Sequence, residues 1–287
     1  MTPRAAVIWL IAVCFVWGVS FVAVKATLAF TTPLVLLALR FGIAGAPIAG
    51  TLRRASREQW IGGLILGGLF WLGFVFQTLG LRYTTPARSA FITILSTPLV
   101  PLVQYAVFRA APRPLILLAV GLAMLGTWLL TSPGGEIGLN RGDVLTLGCA
   151  VAFAGQIVAA GHFSRRMPAT RLLALELGVS ALLSLAFLPL LETPRVDVTP
   201  AFLGLILFLG VGGLATFYGQ IRAQQVLSPT VTALVFCVEP VFAALASRVV
   251  YGEVLSALQL GGAGLILCAV GVAALEGNER EASSLSP

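Results

Sequence analysis

Phe236-Cys237-Val238-Glu239-Pro240-Val241-Phe242 (FCVEPVF) sets a carboxylate beside a proline inside one of the most apolar runs of the chain. That run, 229–250, is long enough for a helix to cross a bilayer core, which takes about 17–25 apolar residues. A proline inside a helix lacks its N–H and displaces the carbonyl four residues back. An acidic side chain at mid-span costs about 2.5–3.5 kcal/mol on insertion scales. Both penalties ask for a polar or water-filled interior nearby. A second stretch, Ile94–Val100 (ILSTPLV), lies 142 residues earlier and sets Pro98 on Pro240 and Thr97 on Glu239.

The likeness extends beyond the prolines. Each stretch follows a proline-containing loop, YTTPARSA at 83–90 and VLSPTVTA at 226–233, although these two prolines differ by one position in the register. Each precedes a glycine-rich last span, AVGLAMLGTWLL and GAGLILCAVGVAAL. The displaced carbonyls belong to Ile94 and Phe236. In lipid they are tolerated only where protein or a water-filled cavity satisfies them.

Composition sets the class. The chain has 287 residues, 58% hydrophobic and 10% charged, with a mean hydropathy of +0.99. Soluble domains carry about 25% charged residues, so this is an integral membrane protein. A net charge of +7 and a pI near 9.9 would also suit a nucleic-acid binder. The basic residues instead fall singly or in pairs between apolar runs, as marks of topology do. Cys14, Cys149, Cys237 and Cys268 all lie in apolar runs without CxxC or Cys/His spacing. They read as small buried fillers, with no metal, disulfide or cofactor expected. The apolar run that follows Arg4 exceeds the roughly 7–15 residues of a signal h-region and reads as the first membrane helix.

Ten spans are expected, near 7–27, 34–51, 60–80, 87–107, 114–131, 142–162, 170–190, 201–220, 229–250 and 256–275. They make an all-α membrane protein of two five-helix repeats, 1–135 and 136–276, followed by a polar and disordered tail, 277–287. Five is odd, so the second repeat starts from the opposite face and is inverted. Inverted repeats with interrupted helices enclose a central binding site in many secondary transporters. Of the 18 Lys and Arg, eleven fall on the N-terminal side, including Arg53, Arg54, Arg57, Arg165, Arg166 and Arg171. Six fall on the other side and Arg40 lies within a span, which predicts both termini in the cytoplasm.

Helical spacing sorts the candidate site residues into faces. The first span offers Trp17, Ser20 and Phe21; the third, Trp71, Phe74 and Thr78; the fourth, Thr93, Thr97 and Pro98, with Ser89 on the same hydroxyl stripe. The sixth offers Phe153 and Gln156, the eighth Phe217 and Gln220, and the ninth Glu239 and Pro240. Hydroxyls can bond their own preceding turn, and aromatic rings can simply pack or sit at the interface. Mid-span amides are stronger candidates, with several hydrogen-bonding groups to satisfy. Glu239 is open to three roles: proton coupling, an anchor for a substrate amine, or a structural carboxylate or neutral carboxylic acid that bonds backbone loosened by Pro240. Arg40 and Glu176 occupy corresponding places in the second and seventh spans and either snorkel or pair. Lys25 and His162 close their helices.

The stretches Trp17–Lys25 (WGVSFVAVK), Ala38-Leu39-Arg40-Phe41, Glu239-Pro240-Val241-Phe242, Gly252-Glu253 and the final GGAGLILCAVG together resemble the drug/metabolite transporter superfamily, in its ten-helix EamA-type branch. One departure is that Ala110-Ala111 stands where the second half has Gly252-Glu253. Among the branch, the chain is most similar to YddG-type exporters of aromatic and other neutral amino acids. The resemblance implies a basket of two inverted halves, with spans one, three, four, six, eight and nine lining a central substrate cavity. It implies export of amino acids or similar small metabolites across a bacterial inner membrane by alternating access, from a monomer. A drug efflux carrier differs only in its ligand. A membrane-embedded lipid-modifying enzyme is disfavoured, because no His, Asp or Cys shares a helical face with Glu176 or Glu239.

Overall fold

The computed structural model describes residues 1–109, 113–131, 140–251 and 256–284, with every side chain among them except those of 54, 130–131, 247, 251 and 273–284. Twelve α-helices account for nearly all of it: α1 Pro3–Thr27, α2 Pro33–Gly45, α3 Arg57–Gly80, α4 Pro86–Ile94, α5 Ser96–Phe108, α6 Pro114–Thr131, α7 Arg141–Phe163, α8 Ala169–Leu191, α9 Pro200–Gln224, α10 Pro229–Phe236, α11 Glu239–Tyr251 and α12 Ala257–Ser284. Local chemistry sets the starts. Thr2, Thr85, Thr199 and Ser228 each cap a helix whose first residue is proline, a position where the missing N–H costs nothing. Ser56 with Gln59, and Asn140 with Asp143, form reciprocal capping boxes on α3 and α7.

Eight helical segments among the described residues are long and apolar enough to span a membrane. At the expected fifth and tenth positions lie two shorter apolar helices, Pro114–Leu129 and Ala257–Val272. The second span tightens into a 3-10 run over Ala46–Arg54, where Pro47 cannot donate to an α-helical ladder. In place of a disordered start to the tail, α12 continues as helix through its described part to Ser284, where Glu, Arg and Ala are good helix formers. Gly252, Glu253, Ala110 and Ala111 lie outside the described residues.

The fourth and ninth spans are each interrupted. The helix α4 ends on Ile94 and α10 ends on Phe236. These are the residues four before Pro98 and Pro240, whose carbonyls the proline rings displace. The chain then crosses a tight turn, with Leu95 N donating to Ile92 O at 3.1 Å and Cys237 N to Leu234 O at 3.2 Å. Helix resumes at Ser96 and Glu239, which leaves both prolines in a first turn. The two breaks meet. Thr97 Oγ1 donates to Ala233 O at 3.1 Å and lies 3.3 Å from Cys237 Sγ.

Packing repeats with a step of six elements. The neighbours α1 and α9 have a counterpart in α7 and α3; α1 and α11 in α7 and α5; α4 and α11 in α10 and α5. The pairs α2 with α8, and α6 with α12, are their own counterparts. Outward-facing side chains such as Leu190, 75% exposed, and Val249, 85% exposed, are apolar, as a lipid-facing surface requires. The polar residues are turned inward: Gln77, Gln156, Glu176, Gln220, Gln224 and Glu239 are all buried.

Candidate functional site

Between α1, α2, α3, α7 and α9 and the two helix breaks lies a cavity of about 50 Å³. At roughly 10–15 Å³ per water, it holds a few water molecules and no amino-acid-sized solute in this conformation. It is lined by ten of the residues that the sequence singles out: Trp17, Ser20, Phe21, Phe74, Thr93, Phe153, Gln156, Phe217, Gln220 and Glu239. The remaining wall comes from Arg40, Phe70, Gln77, Ile94, Ser96, Ile157 and Phe236. Ile94 and Phe236 close α4 and α10, so both helix breaks open onto the same space.

Close helix approach makes the enclosure possible. A Cβ on Gly18 would lie 2.7 Å from Phe242 Cβ and 2.8 Å from Ala243 N. Only a glycine lets α1 lie against the first turns of α11 beside Glu239. An aromatic cluster forms the wall. Phe70 sits 4.7 Å from Phe74 and 4.9 Å from Phe217, Phe74 sits 5.1 Å from Phe153, and Trp17 sits 5.0 Å from Phe236, all between ring centroids.

Polar groups are strung through this apolar frame. Gln156 Nε2 donates to Glu176 Oε1 at 2.8 Å, and Gln156 Oε1 accepts from Gln220 Nε2 at 3.1 Å. Gln220 Nε2 also reaches Gln224 Oε1 at 3.3 Å, and Gln224 Nε2 donates to Ile157 O at 2.8 Å. The chain of amides thus joins α8, α7 and α9 and fixes which face of each amide meets the cavity. Gln77 Nε2 donates to Thr93 Oγ1 at 3.3 Å. Ser20 Oγ is satisfied by Trp17 O at 2.8 Å.

Arg40 is 2% exposed, yet its Nε has no hydrogen-bond partner. Its guanidinium lies 4.8 Å from the Phe74 ring centre and 5.5 Å from that of Phe217. Such ring contacts return about 0.5–2 kcal/mol each, against several kcal/mol for desolvating an unpaired ion. Trp17 Nε1 is likewise buried without a partner. Glu239, 6% exposed, supplies a carboxylate to the same cavity.

Five predicted residues lie off the cavity wall. Trp71 donates from Nε1 to Ser184 Oγ at 3.1 Å and packs on Phe187 with centroids 5.0 Å apart. Thr78 is buried with Oγ1 unpartnered. The face of α3 that meets the cavity is Phe70, Phe74 and Gln77: Phe74 is shared with the expected face, while Phe70 and Gln77 stand one residue, about 100° around the helix, from Trp71 and Thr78. Thr97 bridges the helix breaks, with Pro98 half-buried and Pro240 buried beside them. His162 stacks on Phe108, with centroids 5.0 Å apart, and does not line the cavity. Gln77 joins the wall beyond the expected residues, and the signal for it is the one that marks Gln156, an amide in mid-span. Arg40 neither snorkels to the surface nor pairs with Glu176: it is buried on the cavity wall, and no ion pair joins the two among the described residues.

At the face where α1 ends, polar bonds tie α1, the turn after α3, α4 and α7 together. Arg88 Nη2 pairs with Asp143 Oδ2 at 2.6 Å, and Thr84 Oγ1 donates to Asp143 Oδ1 at 3.0 Å. Lys25 Nζ clasps the carbonyls of Leu81 and Thr84. On the N-terminal face, Arg165 Nη2 reaches Leu227 O at 3.1 Å and Gln225 Nε2 reaches Ser164 O at 2.9 Å. A cation at the end of α1 or α7 therefore grips the turn that follows α3 or α9, respectively.

Comparisons with known proteins agree with this architecture. The chain is 31% identical to an uncharacterized transporter of Archaeoglobus fulgidus, covering 92% of this chain and 83% of that protein. It is 24% identical to the uncharacterized transporter YwfM of Bacillus subtilis, covering 84% of each. A solved crystal structure superposes with a TM-score of 0.75 over 94% of this chain and 98% of the other, at 24% identity, which speaks for the fold alone. The EamA-like transporter family matches residues 4–132 and again 140–275. The chain therefore belongs to the EamA-like transporter family, as a multi-pass membrane transporter of small molecules.

Proposed function

We propose that the protein exports aromatic or other neutral amino acids, or closely similar metabolites, by alternating access through this cavity, in the manner of YddG-type carriers. The single observation that carries the reading is the chemistry of the wall. Phenyl and indole rings suit an apolar side chain, while amides, one carboxylate and one guanidinium suit the two ends of a zwitterion. The working architecture is ten spans in two inverted halves. The family match to each half in turn and the six-element step in the packing support it. The excess of Lys and Arg on the N-terminal side supports cytoplasmic termini in a bacterial inner membrane. The transporting unit is a monomer whose cavity must widen to admit its solute, because the present volume is too small for one.

The test is a substrate screen in proteoliposomes. Counterflow of labelled L-phenylalanine, blocked by other neutral amino acids, is the expected result. Failure to move any neutral amino acid, together with movement of a planar apolar drug, would replace the amino-acid reading with drug efflux.

A further inference from the structure

We infer that Arg40 is the anchor for a carboxylate group of the transported solute. The inference deepens the amino-acid reading and rests on the cavity being the substrate site. Three observations converge on it. Arg40 is 2% exposed and lines the cavity, yet it has no carboxylate partner among the described residues. Its Nε lacks any hydrogen-bond partner among the described residues, as does Trp17 Nε1 on the same cavity, so two buried donors are unused. The side chain is nevertheless held: its guanidinium rests against Phe74 and Phe217, and a Cβ on Gly213 of α9 would come within 3.9 Å of Nε. It is a positioned cation, unpaired among the described residues.

The ligand chemistry follows from the neighbours. A guanidinium matches a planar carboxylate through two parallel hydrogen bonds. The second ionisable group in the cavity is Glu239, which when ionised repels a dianion and favours a solute with a single negative group. The rings of Phe70, Phe74 and Phe217 beside Arg40 leave apolar surface for the remainder of the solute. A monocarboxylate with an apolar body fits, whether it is an amino acid or a simple organic acid.

Binding of three labelled probes to the full-length protein in nanodiscs separates the possibilities: L-phenylalanine, L-phenylalaninol (no carboxylate) and 3-phenylpropionate (no amine). The native protein is expected to hold the two carboxylates at least about tenfold more tightly than the alcohol, the size of a charge-assisted hydrogen bond. In Arg40→Gln that preference falls to within about threefold, and Arg40→Lys keeps part of it. Equal binding of L-phenylalanine and L-phenylalaninol by the native protein overturns the inference without any variant, which covers a failure of Arg40→Gln to fold. A folded Arg40→Gln that retains the full preference overturns it as well, and so does a native protein that binds none of the three. Binding of 3-phenylpropionate that needs Arg40, with none of L-phenylalanine, upholds the anchor and sinks the amino-acid reading. Transport of L-phenylalanine with no preference for the carboxylate does the reverse.

Discussion

Thr97 Oγ1 donates to the carbonyl of Ala233 at 3.1 Å, so the residue before Pro98 in one interrupted helix ties down the backbone of the other. The same hydroxyl lies 3.3 Å from Cys237 Sγ, inside the second break. Thr97→Val keeps the shape and removes the hydrogen bond. A loss of about 0.5–1.5 kcal/mol is expected, seen as a lower thermal midpoint of the purified protein. Thr97→Ser, which keeps the donor, stays close to native. An unchanged midpoint for Thr97→Val would show that the junction of the breaks does not depend on this bond.

Gly18 is where α1 touches α11, and a Cβ there would approach Phe242 Cβ to 2.7 Å and Ala243 N to 2.8 Å. One of those atoms is backbone and cannot rotate aside. Gly18→Ala is expected to cost about 1–3 kcal/mol and to impair transport through the displaced Glu239. The control is Gly178→Ala in α8, where nothing lies within 4 Å of the added carbon. There the gain in helix propensity, about 0.5–1 kcal/mol, is expected instead. Equal effects of the two substitutions would contradict the close crossing.

The start of α2 has no cap of its own, since Thr32 makes no side-chain bond there. Glu192, from the loop after α8, accepts from Leu34 N at 2.8 Å and Val35 N at 3.3 Å. A carboxylate at a helix N-terminus satisfies free donors and meets the positive end of the helix dipole. Glu192→Ala is expected to lose about 0.5–2 kcal/mol, and Glu192→Gln less than Ala. Hydrogen exchange at Leu34 and Val35 would report the loss directly.

How far the sequence reveals all this depends on the range of each effect. The interruptions at Ile94 and Phe236 are legible because proline acts four residues away, along the same helix. The faces of α7 and α9 are legible because Gln156 and Gln220 have few ways to hide an amide among apolar neighbours. The face of α3 is harder. Phe70 and Trp71 are adjacent, large and aromatic, and only packing decides which turns inward. Trp71 went to Ser184 and Phe187 because α8 offers a hydroxyl there. Arg40 posed the same kind of problem: its eventual neighbours Phe74 and Phe217 are remote in sequence.

The Arg88–Asp143 pair joins the two family-matched segments near the face where α1 ends. Asp143 is wholly buried at its side chain and also caps α7 through Asn140. Asp143→Asn keeps much of the cap while removing the ion pair. The expected result is a shift toward the form open at this face. It would be read as faster labelling, by an impermeant maleimide, of a cysteine placed at Ser20 in the cavity. Cys14, Cys149 and Cys237 are buried, so Cys268→Ala gives a quiet background. Labelling no faster than in the parent would assign the pair to α7 stability alone.

Glu239 and Arg40 line the same cavity, and the two carry complementary predictions. A solute amine placed near Glu239 gains a charge-assisted hydrogen bond, which is worth about tenfold or more in affinity. Glu239→Gln keeps the side chain's shape and removes the charge. Affinity for L-phenylalanine is then expected to fall by about tenfold. Affinity for 3-phenylpropionate, which has no amine to lose, is expected to hold or rise as a repelling carboxylate disappears. Transport measured across a pH gradient adds an independent arm: a pH dependence that survives in Glu239→Gln assigns proton coupling elsewhere. If both ligands weaken equally in the variant, Glu239 serves the loosened backbone beside Pro240 and does not distinguish the solute's amine.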